Sequence, residues 1–191
     1  KVLNGLEYVI VDPAFAACQP SPDGHILISM GGRDPFNFTP LAMRAANAFG
    51  CKVVTIIGPQ FDSLTLKSER TEIVHSPASL APYLNGAALC LCATGMTAYE
   101  ALCAGVPCIL GNISEDHERT ANTLQFLGVA RNLGLPSQFT VERCQAEIEF
   151  LLSRSVELWT DISNHARTLI DGRGVERVAE RICQLITPGQ S

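Results

Sequence analysis

With 191 residues, 47% of them hydrophobic and 17% charged, the chain can core one domain well and is too short for two ordinary ones. That composition excludes intrinsic disorder, which requires low hydrophobicity and high net charge. A net charge of −5 argues against nucleic-acid binding driven by phosphate attraction, and no apolar run approaches the roughly 20 residues of a membrane-spanning helix.

The chain begins at Lys1, without a signal-peptide pattern. It is expected to be a piece of a longer cytoplasmic protein. Residues 1–24 carry Pro13, Pro20, Pro22 and Gly24 and no sustained period. They predict an irregular lead-in or linker from a missing N-terminal domain, and residues 25–191 a single folded unit. From there strand and helix signals alternate. His25–Met30 predicts a strand, followed by a turn at Gly31–Pro35. Thr39–Phe49 predicts a helix with Thr39 as N-cap, Pro40 at its first position and Gly50 ending it. Lys52–Ile57 predicts a strand closed by Gly58-Pro59. A polar stretch, Gln60–Thr71, leads to a short strand at Glu72–His75, and Ser79 opens a short helix to Leu84.

Ala87–Ala93 (AALCLCA) predicts a buried strand. Thr94-Gly95-Met96-Thr97 turns the chain into a helix over Ala98–Ala104, ended by Gly105. Pro107–Leu110 predicts a strand, Glu115–Leu127 a helix ended by Gly128, and Val129–Leu133 a last short strand. Thr140–Leu152, Ser155–Ile170 and Gly174–Ile186 predict a helical tail. Such alternation with apolar strands implies an α/β domain, a parallel sheet covered by helices on both faces.

Eight cysteines form no C-x-x-C pair and have no histidine at finger spacing, so zinc and disulfide frameworks are disfavoured. They are read as reduced, buried small hydrophobes, with Cys90 and Cys92 on one strand face. His75 and His165 are read as structural and His25 as solvent-facing.

In open α/β sheets, ligands bind at the carboxyl ends of strands. The informative loops are therefore Gly31–Asn37, Gly58–Asp62, Thr94–Thr97 and Asn112–Asn122. Two glycines after a strand let a ligand approach the backbone, and Arg33 suits a phosphate. The plain alternative is a tight turn with Asp34 in an Asx-turn before Pro35. The loop lacks the G-x-G-x-x-G and G-K-[ST] patterns. Thr94–Thr97 offers unpaired amides and a positive dipole end to an anion. Glu100 lies three residues after Thr97, the spacing of a capping box. Equally, its two acceptor oxygens match the two donors of a ribose diol; spacing alone leaves both open. Acidic residues at Glu115 and Asp116 are ordinary first-turn chemistry, and His117 is either a ligand contact or exposed.

Taken together, ATGMTAYEALCAGVPCIL, SEDHERTAN and LGVARNLG resemble the C-terminal domain of GT-B nucleotide-sugar enzymes. The peptidoglycan N-acetylglucosaminyltransferase and the UDP-sugar 2-epimerases share this pattern. LNGLEYVIVDPAF, GGRDPFNFT and DGRGVERVAERI narrow the resemblance to the family of spore-coat polysaccharide protein G and the pseudaminic-acid pathway UDP-sugar hydrolase. The resemblance spans nearly the whole chain. It implies a Rossmann-like three-layer domain with a helical C-terminal tail, the second of two domains that hold a UDP-sugar between them. It implies nucleotide contacts from Gly31, Gly32, Gly58, Thr94, Gly95, Met96, Thr97 and Glu100, the last at the ribose. Arg33, Glu115, Asp116 and His117 would face the sugar.

Arg33 stands where the family more often has Ser, and His117 where it has Gln. The implied activity is hydrolysis or transfer of the sugar from UDP in surface or spore-coat polysaccharide biosynthesis of the nonulosonic-acid type, with no metal or cofactor. The catalytic residue would lie in the other domain, so this piece alone is expected to be inactive. A UDP-sugar 2-epimerase-like domain and a non-catalytic nucleotide-sugar-binding module are the rival readings. A dinucleotide oxidoreductase is disfavoured by the missing glycine fingerprint.

Overall fold

A computed structural model describes residues 2–61 and 71–186. Asp62 and the remainder of the polar stretch to Arg70 lie outside the described residues. Six parallel strands form one sheet: β1 (His25–Ser29), β2 (Val53–Ile57), β3 (Thr71–His75), β4 (Ala87–Ala93), β5 (Cys108–Gly111) and β6 (Ala130–Asn132). Their spatial order is β3-β2-β1-β4-β5-β6. The chain builds outward from β1 in one direction, returns, and continues from β4 in the other. This is the doubly wound arrangement, and the order reverses between β1 and β4.

The helices are α1 (Phe38–Ala46), α2 (Ala81–Leu84), α3 (Met96–Cys103), α4 (Glu115–Phe126), α5 (Val141–Leu152), α6 (Val156–Leu169) and α7 (Gly174–Ile186). Strand side chains alternate between two cores. Ile26, Ile28, Leu89, Leu91 and Ile109 point to α1 and α5. Leu27, Val54, Cys90, Cys92, Cys108 and Leu110 point to α3, α4 and α6. Helices thus cover both faces, and β1 and β4 are buried almost throughout. Trp159 fastens α6 to the sheet, its indole N–H donating to the Ala88 carbonyl at 2.8 Å.

The cysteine expectation holds for six of the eight, which are buried; Cys51 is half-buried and Cys183 is exposed, and all are free thiols. His25 corrects the sequence reading. Its Nε2 lies 2.8 Å from the Tyr83 carbonyl oxygen and is partly buried. His75 and His165 are exposed.

Residues 2–24 are irregular, with two short 3-10 turns, Leu6–Tyr8 and Pro13–Ala17. They are also docked: Val11, Phe15 and Cys18 are buried in the core on the α3 side. Arg167 on α6 explains the docking. Its guanidinium donates to the carbonyls of Ala16 (2.8 Å), Cys18 (2.6 Å) and Ala104 (2.7 Å). One planar donor fork therefore joins the lead-in to the C-terminal end of α3.

The last helix of the tail, α7, is preceded by Asp171, whose carboxylate receives both terminal amino groups of Arg177. Hydrogen bonds from Arg177, seconded by the Arg173 amide, hold the Asp171 carboxyl down at about 2. Arg177 also donates to the Glu7 carbonyl at 2.9 Å. The far end of α7 is barely packed, with Ile182, Leu185 and Ile186 exposed.

Candidate functional site

The reversal of strand order opens a cleft at the carboxyl ends of β1 and β4. Its volume is about 310 Å³, and the residues after β1 (Met30–Pro35) and after β4 (Ala93–Thr97) line it, with Ile113 at one side. Seven of the predicted site residues meet there: Gly31, Gly32, Arg33, Thr94, Gly95, Met96 and Thr97. Gly58, Glu100, Glu115, Asp116 and His117 stand outside that lining. A smaller, more apolar groove of about 200 Å³, flanked by Phe150 and Leu158, lies away from these strand ends.

Gly32 and Gly95 are ordinary or extended in backbone conformation, and a Cβ on either would meet nothing within 4 Å. The fold itself does not demand glycine at these two positions. Bare backbone there leaves room for a ligand to approach the amides. Gly58 is different: a Cβ would lie 2.3 Å from the Gly32 Cα. Its smoothness lets the loop after β2 seat under the glycine loop. Gln60 completes that contact, its amide donating to the Gly32 carbonyl at 3.1 Å. The Gln60 side-chain carbonyl accepts from Arg33 Nε at 2.9 Å.

Asp34 governs the exit from the glycine loop. It is buried, sits at φ 43°, and its two oxygens accept from the amides of Phe38 (2.8 Å) and Thr39 (2.7 Å). Thr39 is therefore inside α1 and not its N-cap. Asp34 caps the helix from a turn upstream, in place of a simple Asx-turn.

Helix α3 starts at Met96 with Gly95 in the cap position and no side-chain cap. First-turn amides have no intrahelical acceptor, so those of Met96 and Thr97, which line the cleft, have no hydrogen-bond partner among the described residues and lie at the positive end of the helix. The capping-box alternative for Glu100 fails, because a box needs Thr97 at the cap and Thr97 is already the second helical residue. Among the described residues, the Glu100 carboxylate makes no hydrogen bond or ion pair. It is half-buried, and burial pushes its pKa up.

Thr94 carries a role that the sequence did not disclose. Its hydroxyl is buried and donates to Asn112 Oδ1 at 2.7 Å. Asn112, fully buried, donates through Nδ2 to Asn132 Oδ1 (2.7 Å) and the Gly134 carbonyl (2.9 Å). Asn132 Nδ2 continues to Asn122 Oδ1 on α4 at 2.7 Å. This chain of amides ties the loops after β4, β5 and β6 to one another. The scattered asparagines gave no motif, and only the parallel register of β4, β5 and β6 brings them together.

Helix α4 begins beyond it. Ser114 caps the helix, accepting from the His117 amide at 3.4 Å. Glu115 and Asp116 are exposed, and Asp116 pairs with Arg119 at 3.0 Å. His117 Nδ1 is buried without a hydrogen-bond partner among the described residues. Among those residues no group of three or more His, Cys, Asp or Glu converges, and no helix is long and apolar enough to cross a membrane.

The architecture is that of the C-terminal domain of GT-B glycosyltransferases, a doubly wound Rossmann-like sheet with a helical tail. The glycotransferase of kitacinnamycin superposes with a TM-score of 0.67 at 24% identity, over 85% of this chain and 43% of that one. Spinosyn rhamnosyltransferase SpnG complexed with thymidine diphosphate gives 0.63 at 23% identity, over 90% and 49%.

In sequence, the chain is similar to spore coat polysaccharide biosynthesis protein SpsG of Bacillus subtilis (strain 168), 26% identical over 193 residues. That match covers 93% of this chain and 57% of SpsG, so the chain spans little more than half of its relative. No family model matches the sequence.

Proposed function

We propose that this chain is the UDP-sugar-binding half of a two-domain GT-B enzyme that hydrolyses or transfers the sugar in surface or spore-coat polysaccharide synthesis. The nonulosonic-acid type of product is part of the proposal. The observation that carries it is the cleft at the β1/β4 reversal, walled by bare glycine backbone and the uncapped start of α3. The diphosphate would lie against the amides of Met96 and Thr97. Glu100, one turn further along the same helix, would accept from both ribose hydroxyls. Gly31 and Gly32 would pass close to the phosphates, and the loop beyond Gly58 would approach the base. Arg33, Glu115, Asp116 and His117 would border the sugar.

In the reaction, the bond between the anomeric carbon and the diphosphate oxygen breaks. A water or acceptor hydroxyl oxygen bonds to that carbon, and its proton passes to a base on the preceding domain. Fixed amides and the dipole of α3 stabilise the charge that builds on the departing diphosphate. The thymidine diphosphate bound by SpnG, and the similarity to SpsG, support this reading.

Calorimetric titration of the chain with UDP, with CMP, GDP and NAD as controls, tests it. UDP should bind in preference to the others. Affinity should fall as pH drops through the raised pKa of Glu100, because protonation turns one of its two acceptor oxygens into a donor. Glu100→Gln should bind more weakly and lose that pH dependence. Preference for NAD, or UDP binding indifferent to Glu100, would overturn the assignment.

A further inference from the structure

Resting on the nucleotide-sugar reading, we propose that Arg33 is a specificity residue for nucleotide sugars whose sugar carries an anionic substituent, a carboxylate being the best match. Of the described residues lining the cleft, Arg33 and Asp34 are the two that carry charge. The Asp34 carboxylate is buried and both its oxygens are taken by the amides that start α1. Arg33 is exposed and has no carboxylate partner among the described residues. Among the described lining residues, Arg33 is therefore the charged one whose hydrogen-bonding groups remain open to a ligand.

Its placement is defined. The Gln60 side chain holds Nε at 2.9 Å, while the Gln60 amide is anchored to the Gly32 carbonyl at 3.1 Å. A neutral latch on Nε leaves the two terminal amino groups for a ligand, the fork that matches a carboxylate in bidentate fashion. Arg33 also borders a second, open cavity of about 650 Å³ with Phe36, Asn37, Gln60 and Phe61. Arg33 thus borders both spaces, from the glycine loop and not from α3.

Two anions are available to Arg33 on such a ligand: the diphosphate and a substituent on the sugar. The diphosphate already has the amides of α3, the helix that follows β4, the strand beside β1. That leaves Arg33 for the second anion.

The test is calorimetric titration of the 191-residue chain with UDP, UDP-glucose and UDP-glucuronate. The two sugars differ only in a hydroxymethyl against a carboxylate. UDP-glucuronate should bind about tenfold more tightly than UDP-glucose, the scale of one charge-assisted bidentate contact. Arg33→Met should bring the ratio to about one, and Arg33→Lys, a point charge without the fork, should keep part of it.

Equal affinities for the two sugars in the native chain would overturn the proposal. So would an Arg33→Met variant that weakens UDP, UDP-glucose and UDP-glucuronate by one common factor, since the guanidinium would then serve the diphosphate. Failure of UDP itself to bind would overturn the nucleotide-sugar reading together with this one. UDP binding without sugar discrimination would overturn this one alone.

Discussion

Replacing Asn112 by Leu removes the centre of the amide chain with little change in volume. Three hydrogen bonds disappear: one from Thr94 and two from Nδ2. Two of the lost partners remain satisfied, because Asn132 Oδ1 still accepts from the Gly134 amide and the Gly134 carbonyl from the Asn112 amide. The Thr94 hydroxyl, 3% exposed, does not. At about 1 kcal/mol net per bond, and more for an orphaned buried donor, the cost is about 3 kcal/mol. For a chain of this size that lowers Tm by about 6–12 °C.

Thr94→Val alone leaves Asn112 Oδ1 without its donor and should cost about 1–2 kcal/mol. The double variant should be no less stable than Asn112→Leu, because the Thr94 hydroxyl already lacks an acceptor there. The cycle therefore predicts a coupling of about 1–2 kcal/mol, measured by urea unfolding followed by circular dichroism. UDP affinity should fall in each single variant, since the start of α3 loses its tether to β5. Strict additivity, within about 0.5 kcal/mol, would refute the network as a unit.

Gly32→Ala should leave Tm unchanged within about 1 °C, because the added Cβ meets nothing, yet it should block UDP in the same titration; small stability effects are the rule where no neighbour is crowded. Gly58→Ala should do the opposite first, lowering Tm by the several degrees expected of a backbone clash of about 1–3 kcal/mol, and it should distort the glycine loop in consequence. The Asp171 carboxyl, held down from its ordinary value near 3.8 to about 2 by Arg177, favours the fold fully above its unfolded value. That contribution should vanish as pH falls toward 2, and Asp171→Asn should flatten this part of a Tm-against-pH curve.

Much of this was legible in the chain. The strands announced themselves because both faces are buried, so AALCLCA could only be an interior strand, and it spans Ala87–Ala93 as read. Helix ends at Gly50, Gly105 and Gly128 were equally plain, since each takes a positive φ that other residues resist. The start of α1 was misplaced because its cap acts from a distance. Asp34 reaches amides four and five positions ahead, whereas Thr39-Pro40 displays the local signature of a cap. The loops of the cleft were found from strand–helix order alone. The amide chain was not, because its four side chains lie on separate elements and meet only through sheet register. Arg167 escaped notice for the same reason: its three carbonyl partners are between 63 and 151 residues away along the chain.

The distribution of thiols makes the molecule its own reporter. Cys183 stands in solvent on α7, while Cys90, Cys92, Cys103, Cys108 and Cys144 are fully enclosed. A maleimide dye would mark the native molecule at Cys183 within moments and the interior sulfurs only when a layer parts. Mass spectrometry over time would then resolve which layer opens first: Cys144 times the α5 side, and Cys103 with Cys108 the side that carries the cleft helix. Ligand in the cleft would slow the second clock and leave the first at its own pace.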